Sequence, residues 1–163
     1  MSVLLFRVDE RLIHGQVVVA WGSRLHPERI IVVDDELAGS DWEQELYSLG
    51  LPPEMAASFE TVAHARAQLA GWRTGVERII VLTRNVETML RLARDGSMRG
   101  ADVNIGGIHH APDRREVLPY VYLSAADTSA LRDLGGEGVE VSARDLPAAR
   151  RTELAQLLDG GTP

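Results

Sequence analysis

Arg7-Val8-Asp9-Glu10-Arg11-Leu12-Ile13-His14-Gly15-Gln16-Val17 is the stretch on which the fold turns. An apolar run from Val3 leads into it, and a second, Val17 to Trp21, leads out. Val3 to Val8 reads as a buried strand: short, apolar and ended by charge. The segment from Gly15 to Leu25 has two readings. Three successive valines, Val17 to Val19, favour a strand. Val17, Val18, Trp21 and Leu25 also share one helical face, with Gln16 and Arg24 off it.

The same stretch holds two acids, two arginines and a histidine, closed by a glycine. A free imidazole titrates at about pH 6.5, so His14 belongs to the side-chain type that serves as a nucleophile near neutrality. Arg7 and Arg11 offer planar forks of N–H donors to an anion. Gly15, without a Cβ, lets a bound group approach the backbone. A helix starting near Gly15 would aim free N–H groups at that anion. This set of residues suits a histidine that carries a phosphoryl group. It also describes a charged surface loop, in which an Asp9–Arg11 pair in solvent contributes only ~0–1 kcal/mol.

Working outward, Arg29 to Asp34 is a continuous apolar run suited to a strand buried on both faces. Asp34-Asp35-Glu36 ends it; without a histidine or a calcium-loop spacing, these acids read as a strand end and cap rather than a metal site. Asp41 is placed to cap a helix through Gly50, with Leu46 and Leu49 facing inward and Pro52-Pro53 stopping it. Ala56 to Glu60 reads as a third strand. Thr61 caps a helix bearing Val62, Arg66, Leu69 and Trp72 or Arg73, which ends near Gly71. Glu77 to Thr83 is the fourth strand, and Asn85 caps a helix with Val86, Met89, Leu90 and Ala93 as its stripe, stopping at Gly96. Ala101 to Ile105 is a fifth strand that runs into Gly106-Gly107. Glu116 to Leu123 reads as an edge strand, because Pro119 removes a ladder donor. Ser124 to Asp127 has capping-box spacing, with Leu131 and Leu134 on the buried face. Val139 to Ser142 is a short last strand, Leu146 to Leu158 a terminal helix, and Gly160 to Pro163 a frayed tail beginning near Asp159.

Strand and helix alternate throughout. The fold expected is α/β: a mainly parallel, doubly wound sheet of about seven strands, its last strands antiparallel at one edge, in one domain over 1–163. Ligands of such sheets bind beyond the carboxyl ends of strands where the strand order reverses. If strands one, four and five are neighbours, the His14 loop, Thr83-Arg84 and Gly106-Gly107 converge. Thr83 then offers a hydroxyl and Arg84 a charge to the same anion.

Arg7 to Val17 resembles the phosphorylation-site signature of the IIB component of the mannose/sorbose-type bacterial phosphoenolpyruvate-dependent sugar phosphotransferase system. Ile30 to Glu36 and Asn104 to Gly107 resemble two further segments of that family, in the same order, and the likeness runs from about Leu4 to about Pro147. The resemblance implies a helix after Gly15 and makes His14 the phosphorylated residue, with Asp9 and Arg11 beside it in the catalytic loop. Arg7, Gly15, Gln16, Thr83, Arg84, Gly106 and Gly107 are then the phosphate-binding candidates. Glu10 stands where the family often has Asp, and Val86 where it often has Pro. The implied activity is that of a protein-N(pi)-phosphohistidine–sugar phosphotransferase. Its donor is a IIA phosphohistidine, its acceptor a sugar presented by membrane IIC and IID partners, and it uses no cofactor or metal. A regulatory phosphocarrier without sugar transport, and a small acid–base enzyme using Asp9 and His14, are the alternatives.

Composition fits this frame. With 163 residues, 45% hydrophobic and 25% charged, the chain has an ordinary globular make-up. It has no cysteine, so disulfides and thiolate metal sites are excluded. No apolar run reaches the ~20 residues of a membrane span, and no signal-peptide pattern opens the chain. A cytoplasmic protein, peripheral to the inner membrane through its partners, is expected. The net charge of -7 argues against nucleic acid as a partner. A homodimer is compatible with the sequence but is not indicated by it.

Overall fold

The chain alternates between strand and helix. In the computed structural model, which describes residues 2–159, β1 (Val3–Val8) is followed by a π-helical segment, Gln16–Trp21, that runs directly into α1 (Gly22–Leu25). Then come β2 (Arg29–Val33), α2 (Asp41–Ser48), β3 (Ala56–Glu60), α3 (Val62–Thr74), β4 (Ile79–Thr83), α4 (Val86–Ala93) and β5 (Asp102–Ile105). A hairpin, β6 (Arg115–Leu118) and β7 (Val121–Leu123), precedes α5 (Ala125–Gly136), β8 (Glu140–Ala143), β9 (Thr152–Glu153) and α6 (Leu154–Leu158). The expected tail over Gly160 to Pro163 lies outside the described residues.

Seven strands form one sheet in the order β3-β2-β4-β1-β5-β8-β9. Every neighbouring pair is parallel except β8 with β9, which closes one edge antiparallel. β1 therefore stands between β4 and β5, as the convergence of the three loops requires.

Alternation along the strands sorts the two faces. Phe6, Val8, Ile31, Val33, Ile79, Val81, Val103, Ile105 and Val141 pack into one large core with residues of α3, α4, α5 and α6. On the other face, Ile30, Val32, Ile80 and Leu82 form a smaller core with Leu12, Ile13, Val17 and Leu37. This second face is apolar over β3, β2, β4 and the start of β1, where Ala57, Phe59 and Leu5 pack against the smaller core. Further along, its positions are Arg7 on β1, Asp102 and Asn104 on β5, and Glu140 and Ser142 on β8. The site lies along that change from apolar to polar.

Thr61, Asn85 and Ser124 cap α3, α4 and α5 through their side chains, and Ser124 with Asp127 completes a capping box. Asp34 ends β2 by accepting the N–H groups of Glu36 and Leu37.

Three expectations are corrected. Ser40, not Asp41, holds the N-cap position of α2, and Leu46 and Leu49 point to solvent at 59% and 81% exposure. The residues from Glu116 to Leu123 are not one edge strand: Pro119 and Tyr120 form the turn of a separate two-stranded hairpin. The terminal helix begins at Leu154, because tertiary contacts hold the preceding residues. Arg7 draws on the carbonyls of Arg144 and Asp145, and Thr152–Glu153 pair with β8. The helix expected after Gly15 is present and opens with π turns.

Candidate functional site

Asp9 is the centre of the loop that leaves β1. It is fully buried and accepts five hydrogen bonds. Its Oδ1 takes the Arg11 backbone N–H at 3.0 Å and Arg11 Nε at 3.2 Å. Its Oδ2 takes Arg7 Nη2 at 3.1 Å, Gly107 N–H at 3.2 Å and Arg11 Nη2 at 3.3 Å. Burial alone would push this carboxyl up. The hydrogen bonds from Arg11 and the charge of Arg7 outweigh burial and hold it below the usual aspartate range. The Asp9 N–H donates to the Thr83 carbonyl at 3.0 Å, which ties the loop to the end of β4.

Arg7 is fully buried. It donates to Asn104 Oδ1, to the carbonyls of Arg144 (2.9 Å) and Asp145 (3.1 Å), and to Asp9. Its guanidinium lies 5.3 Å from the centroid of the Trp21 ring, and Trp21 Nε1 donates to the same Asp145 carbonyl at 3.2 Å. Burial depresses its pKa, with Asp9 opposing; arginine stays protonated regardless. Gly106 makes room for this side chain, since a Cβ there would stand 2.7 Å from Arg7 Nε.

His14 comes next. Leu12, wholly buried in the smaller core, adopts φ 55, a left-handed conformation that costs a β-carbon residue energy, on the order of 1–3 kcal/mol. That turn brings its carbonyl to 2.8 Å from His14 Nδ1. His14 Nε2 is enclosed and lies 3.8 Å from Asp9 Oδ2. The side chain as a whole is 17% exposed. Arg11, 35% exposed, reaches over Asp9 to Gln16, donating to Oε1 at 2.7 Å, so it links the acid to the first turn of the helix.

The structure thus gathers His14, Arg11, Asp9, Arg7, Gln16 and Gly107 into one network, but it uses several of the candidates differently from the expected anion pocket. Arg7 is an enclosed partner of Asp9 rather than a surface ligand. The Gly107 N–H is already taken by Asp9, and Gly107 also gives space to Arg11, whose Nη2 would lie 3.1 Å from an added Cβ. The Thr83 hydroxyl donates to the Asn85 carbonyl at 2.9 Å. Arg84 pairs with Asp34 across the ends of β4 and β2 at 3.3 Å. Arg11 and the helix start at Gly15 are what these commitments leave for a bound anion.

Asn104, Trp21 and the Arg144–Asp145 carbonyls were not among the site residues expected from sequence. Asn104 carried a signal: a polar residue in strand β5 at an alternate position to Val103 and Ile105. The carbonyls carried none. Glu10 also proves to be placed structurally. It meets Arg114 Nη1 at 2.5 Å and His109 Nδ1 at 3.4 Å, binding the loop to the segment after β5.

A mainly parallel sheet with a histidine beyond the carboxyl end of its central strand, backed by a saturated aspartate and a partly exposed arginine, places the chain among α/β domains that gather their polar groups at the ends of the strands. The chain belongs to the family described as the PTS system sorbose subfamily IIB component, whose model matches residues 3–161. It is 30% identical over 156 residues to the N-acetylgalactosamine-specific phosphotransferase enzyme IIB component 1 of Escherichia coli K12, covering 94% of this chain and 96% of that one. It is 29% identical to the mannose-specific EIIAB component of the same organism over 97% of this chain, and spans 49% of that longer protein. The crystal structure of the IIBSor domain of the sorbose permease from Klebsiella pneumoniae superimposes with a TM-score of 0.86 at 27% identity, covering 98% of each chain.

Proposed function

We propose that this IIB component relays a phosphoryl group through His14, from a phosphohistidine on a IIA protein or domain to a hydroxyl of a sugar presented by membrane IIC and IID partners. This is the activity of a protein-N(pi)-phosphohistidine–sugar phosphotransferase. The observation that carries the reading is the placement of His14 between the Asp9 carboxylate and the Leu12 carbonyl, with Arg11 at the open side.

Nδ1 is the acceptor nitrogen in this reading. Nε2 is enclosed against a carboxylate that would repel an incoming phosphoryl dianion. When Nδ1 leaves the Leu12 carbonyl it gives its proton to solvent while Nε2 takes one up and donates it to Asp9, so that the Nδ1 lone pair faces the donor. The donor P–N bond breaks as the P–Nδ1 bond forms, and Asp9 stabilises the positive charge that develops on the ring. In the second step the P–Nδ1 bond breaks as a sugar oxygen bonds phosphorus, the lone pair returns to Nδ1, and the hydroxyl proton passes to solvent. Arg11 and the N–H groups opening the helix at Gly15 neutralise the transferring group. Positioning and charge supply the catalysis.

The acid–base alternative is disfavoured because Asp9, with five donors, is held ionised and enclosed. A purely regulatory carrier would share the first step and lack the second. The membrane-associated cytoplasmic setting belongs to this proposal; among the described residues no helix is long and apolar enough to cross a membrane. Incubation with phosphoenolpyruvate, the general phosphotransferase proteins and a IIA donor tests it. One phosphoryl mass on the chain, lost in His14→Gln and transferred to sugar by permease-bearing membranes, is expected. Labelling of His64, His109 or His110 with His14 unmodified overturns the site.

A further inference from the structure

Helix α2 presents its apolar stripe to solvent. None of its eight residues is buried. It is held to the domain by Gln44, whose amide donates to the carbonyls of Leu37 (2.7 Å) and Ala38 (3.2 Å), and by Tyr47, whose ring stands 6.4 Å from that of Phe59. Trp42, Leu46 and Leu49 are 69%, 59% and 81% exposed. At the helical repeat these three fall within one arc of roughly 60°. Three large apolar side chains on one exposed stripe differ from the scattered surface leucines of ordinary proteins.

The rest of α2 limits what can cover it. Asp41, Glu43 and Glu45 lie on the same helix, which contains no base. A second copy packed isologously on the stripe would bring six carboxylates together with no arginine or lysine from either helix. An anionic lipid surface would be repelled for the same reason. The complementary partner is apolar and basic. Cytoplasmic loops of membrane proteins carry an excess of lysine and arginine. We infer that the Trp42–Leu46–Leu49 stripe is the docking surface for a basic, amphipathic cytoplasmic segment of the membrane permease, an inference that takes its partner from the relay reading.

Position agrees. The chain enters α2 from the carboxyl end of β2, at the end of the sheet where β1 delivers the His14 loop, and Leu37 packs in the same core as Leu12 and Ile13. The stripe runs over about 10 Å, from Trp42 at the end of α2 that follows β2 to Leu49. A permease segment seated there is held on the β3 side of the sheet and reaches the same end as His14 while leaving the histidine uncovered.

The test is co-sedimentation of the unphosphorylated chain with membrane vesicles carrying its permease subunits, against vesicles of the same lipid without them. Retention by permease vesicles alone, weakened about tenfold or more in a Trp42→Ser, Leu46→Ser, Leu49→Ser variant, is expected, Trp being a preferred interface anchor. A second variant, Glu43→Lys with Glu45→Lys, weakens retention and removes its salt dependence. Labelling of His14 by the IIA donor stays within about twofold of wild type in both, which also shows that they fold. Unchanged retention overturns the inference, as does equal binding to bare vesicles. A parallel fall in donor labelling assigns the stripe to IIA instead, and a change in oligomeric state assigns it to a second copy; either result also overturns it. Because binding is read without phosphorylation, loss of His14 labelling with stripe-dependent binding intact would sink the relay reading and leave the docking surface standing.

Discussion

Asp9 Oδ2 lies 3.8 Å from His14 Nε2, on the side of the imidazole that the protein encloses. The acid is thus placed to stabilise charge on the ring without occupying the edge at which a phosphoryl group must arrive. Asp9 itself is fixed by four residues: Arg7, Arg11, Gly107 just after β5 and, through its backbone, Thr83 at the end of β4.

That placement has a pH signature. The Asp9 carboxyl is held below its ordinary value of 3.8 in the folded chain. A group depressed on folding contributes stability that is fully present above the unfolded pKa and is lost as pH falls through the folded pKa. Wild type should therefore lose stability steadily below about pH 4. Asp9→Asn should show a flatter acid limb in chemical denaturation at pH 2–5, from a lower plateau. Removing the carboxylate leaves Arg7 buried without its counter-charge, a change that typically costs about 3–5 kcal/mol. Equal acid slopes in the two proteins would show that Asp9 is not the group responsible.

Arg11 makes three demands on one guanidinium: Nε and Nη2 to Asp9, and Nη2 again to Gln16. Lysine supplies charge but not the fork. Arg11→Lys is expected to slow phosphorylation at least about tenfold, while its partly exposed position limits the stability loss to ~1 kcal/mol. Single-turnover labelling alongside urea melts separates the two. Rates within twofold of wild type would make Arg11 a surface charge.

Much of this arrangement is legible in the sequence, for definable reasons. Ile79 to Leu82 reads as a buried strand because both its faces are covered. Thr61, Asn85 and Ser124 announce caps because their side chains satisfy donors within three residues. The β4-β1-β5 neighbourhood accords with the topology of doubly wound sheets. The features that stay hidden depend on contacts distant in sequence. Arg7 ends a strand and reads as an anion ligand; its enclosure instead rests on Asn104 and on carbonyls some 137 residues away, which have no side-chain signature. Periodicity finds the Leu46 and Leu49 stripe but not the direction in which it faces, because Gln44 rather than a leucine anchors α2. The π turns after Gly15 have no residue pattern that separates them from α turns.

The two adjacent glycines should respond unequally to alanine. At Gly106 the new Cβ meets the buried guanidinium of Arg7, which is pinned by its carbonyl, amide and carboxylate acceptors and has nowhere to move. Gly106→Ala should cost about 1–3 kcal/mol or more, as overpacking of an enclosed site does. At Gly107 the nearest atom is 3.1 Å away and belongs to the partly exposed Arg11, which can give way. Gly107→Ala should be the milder change in thermal unfolding but should displace Arg11 and slow labelling. A larger stability loss at 107 than at 106 would refute this account of the pair.

Gly15 separates a structural need for glycine from a functional one. Its φ of -52 and ψ of -43 are ordinary helical values, and nothing lies within 4 Å of where a Cβ would project. Folding does not require glycine here. Alanine at such a position reduces the freedom of the unfolded chain and typically stabilises by about 0.4–1 kcal/mol. The open space beside His14 is nevertheless the space in which the phosphoryl group is proposed to sit, against the N–H groups of the helix start. Gly15→Ala should therefore raise the melting temperature slightly while slowing His14 phosphorylation, and Gly15→Val should slow it further. If both variants label at the wild-type rate, the phosphoryl group does not approach the backbone at this glycine, and Arg11 alone must neutralise it.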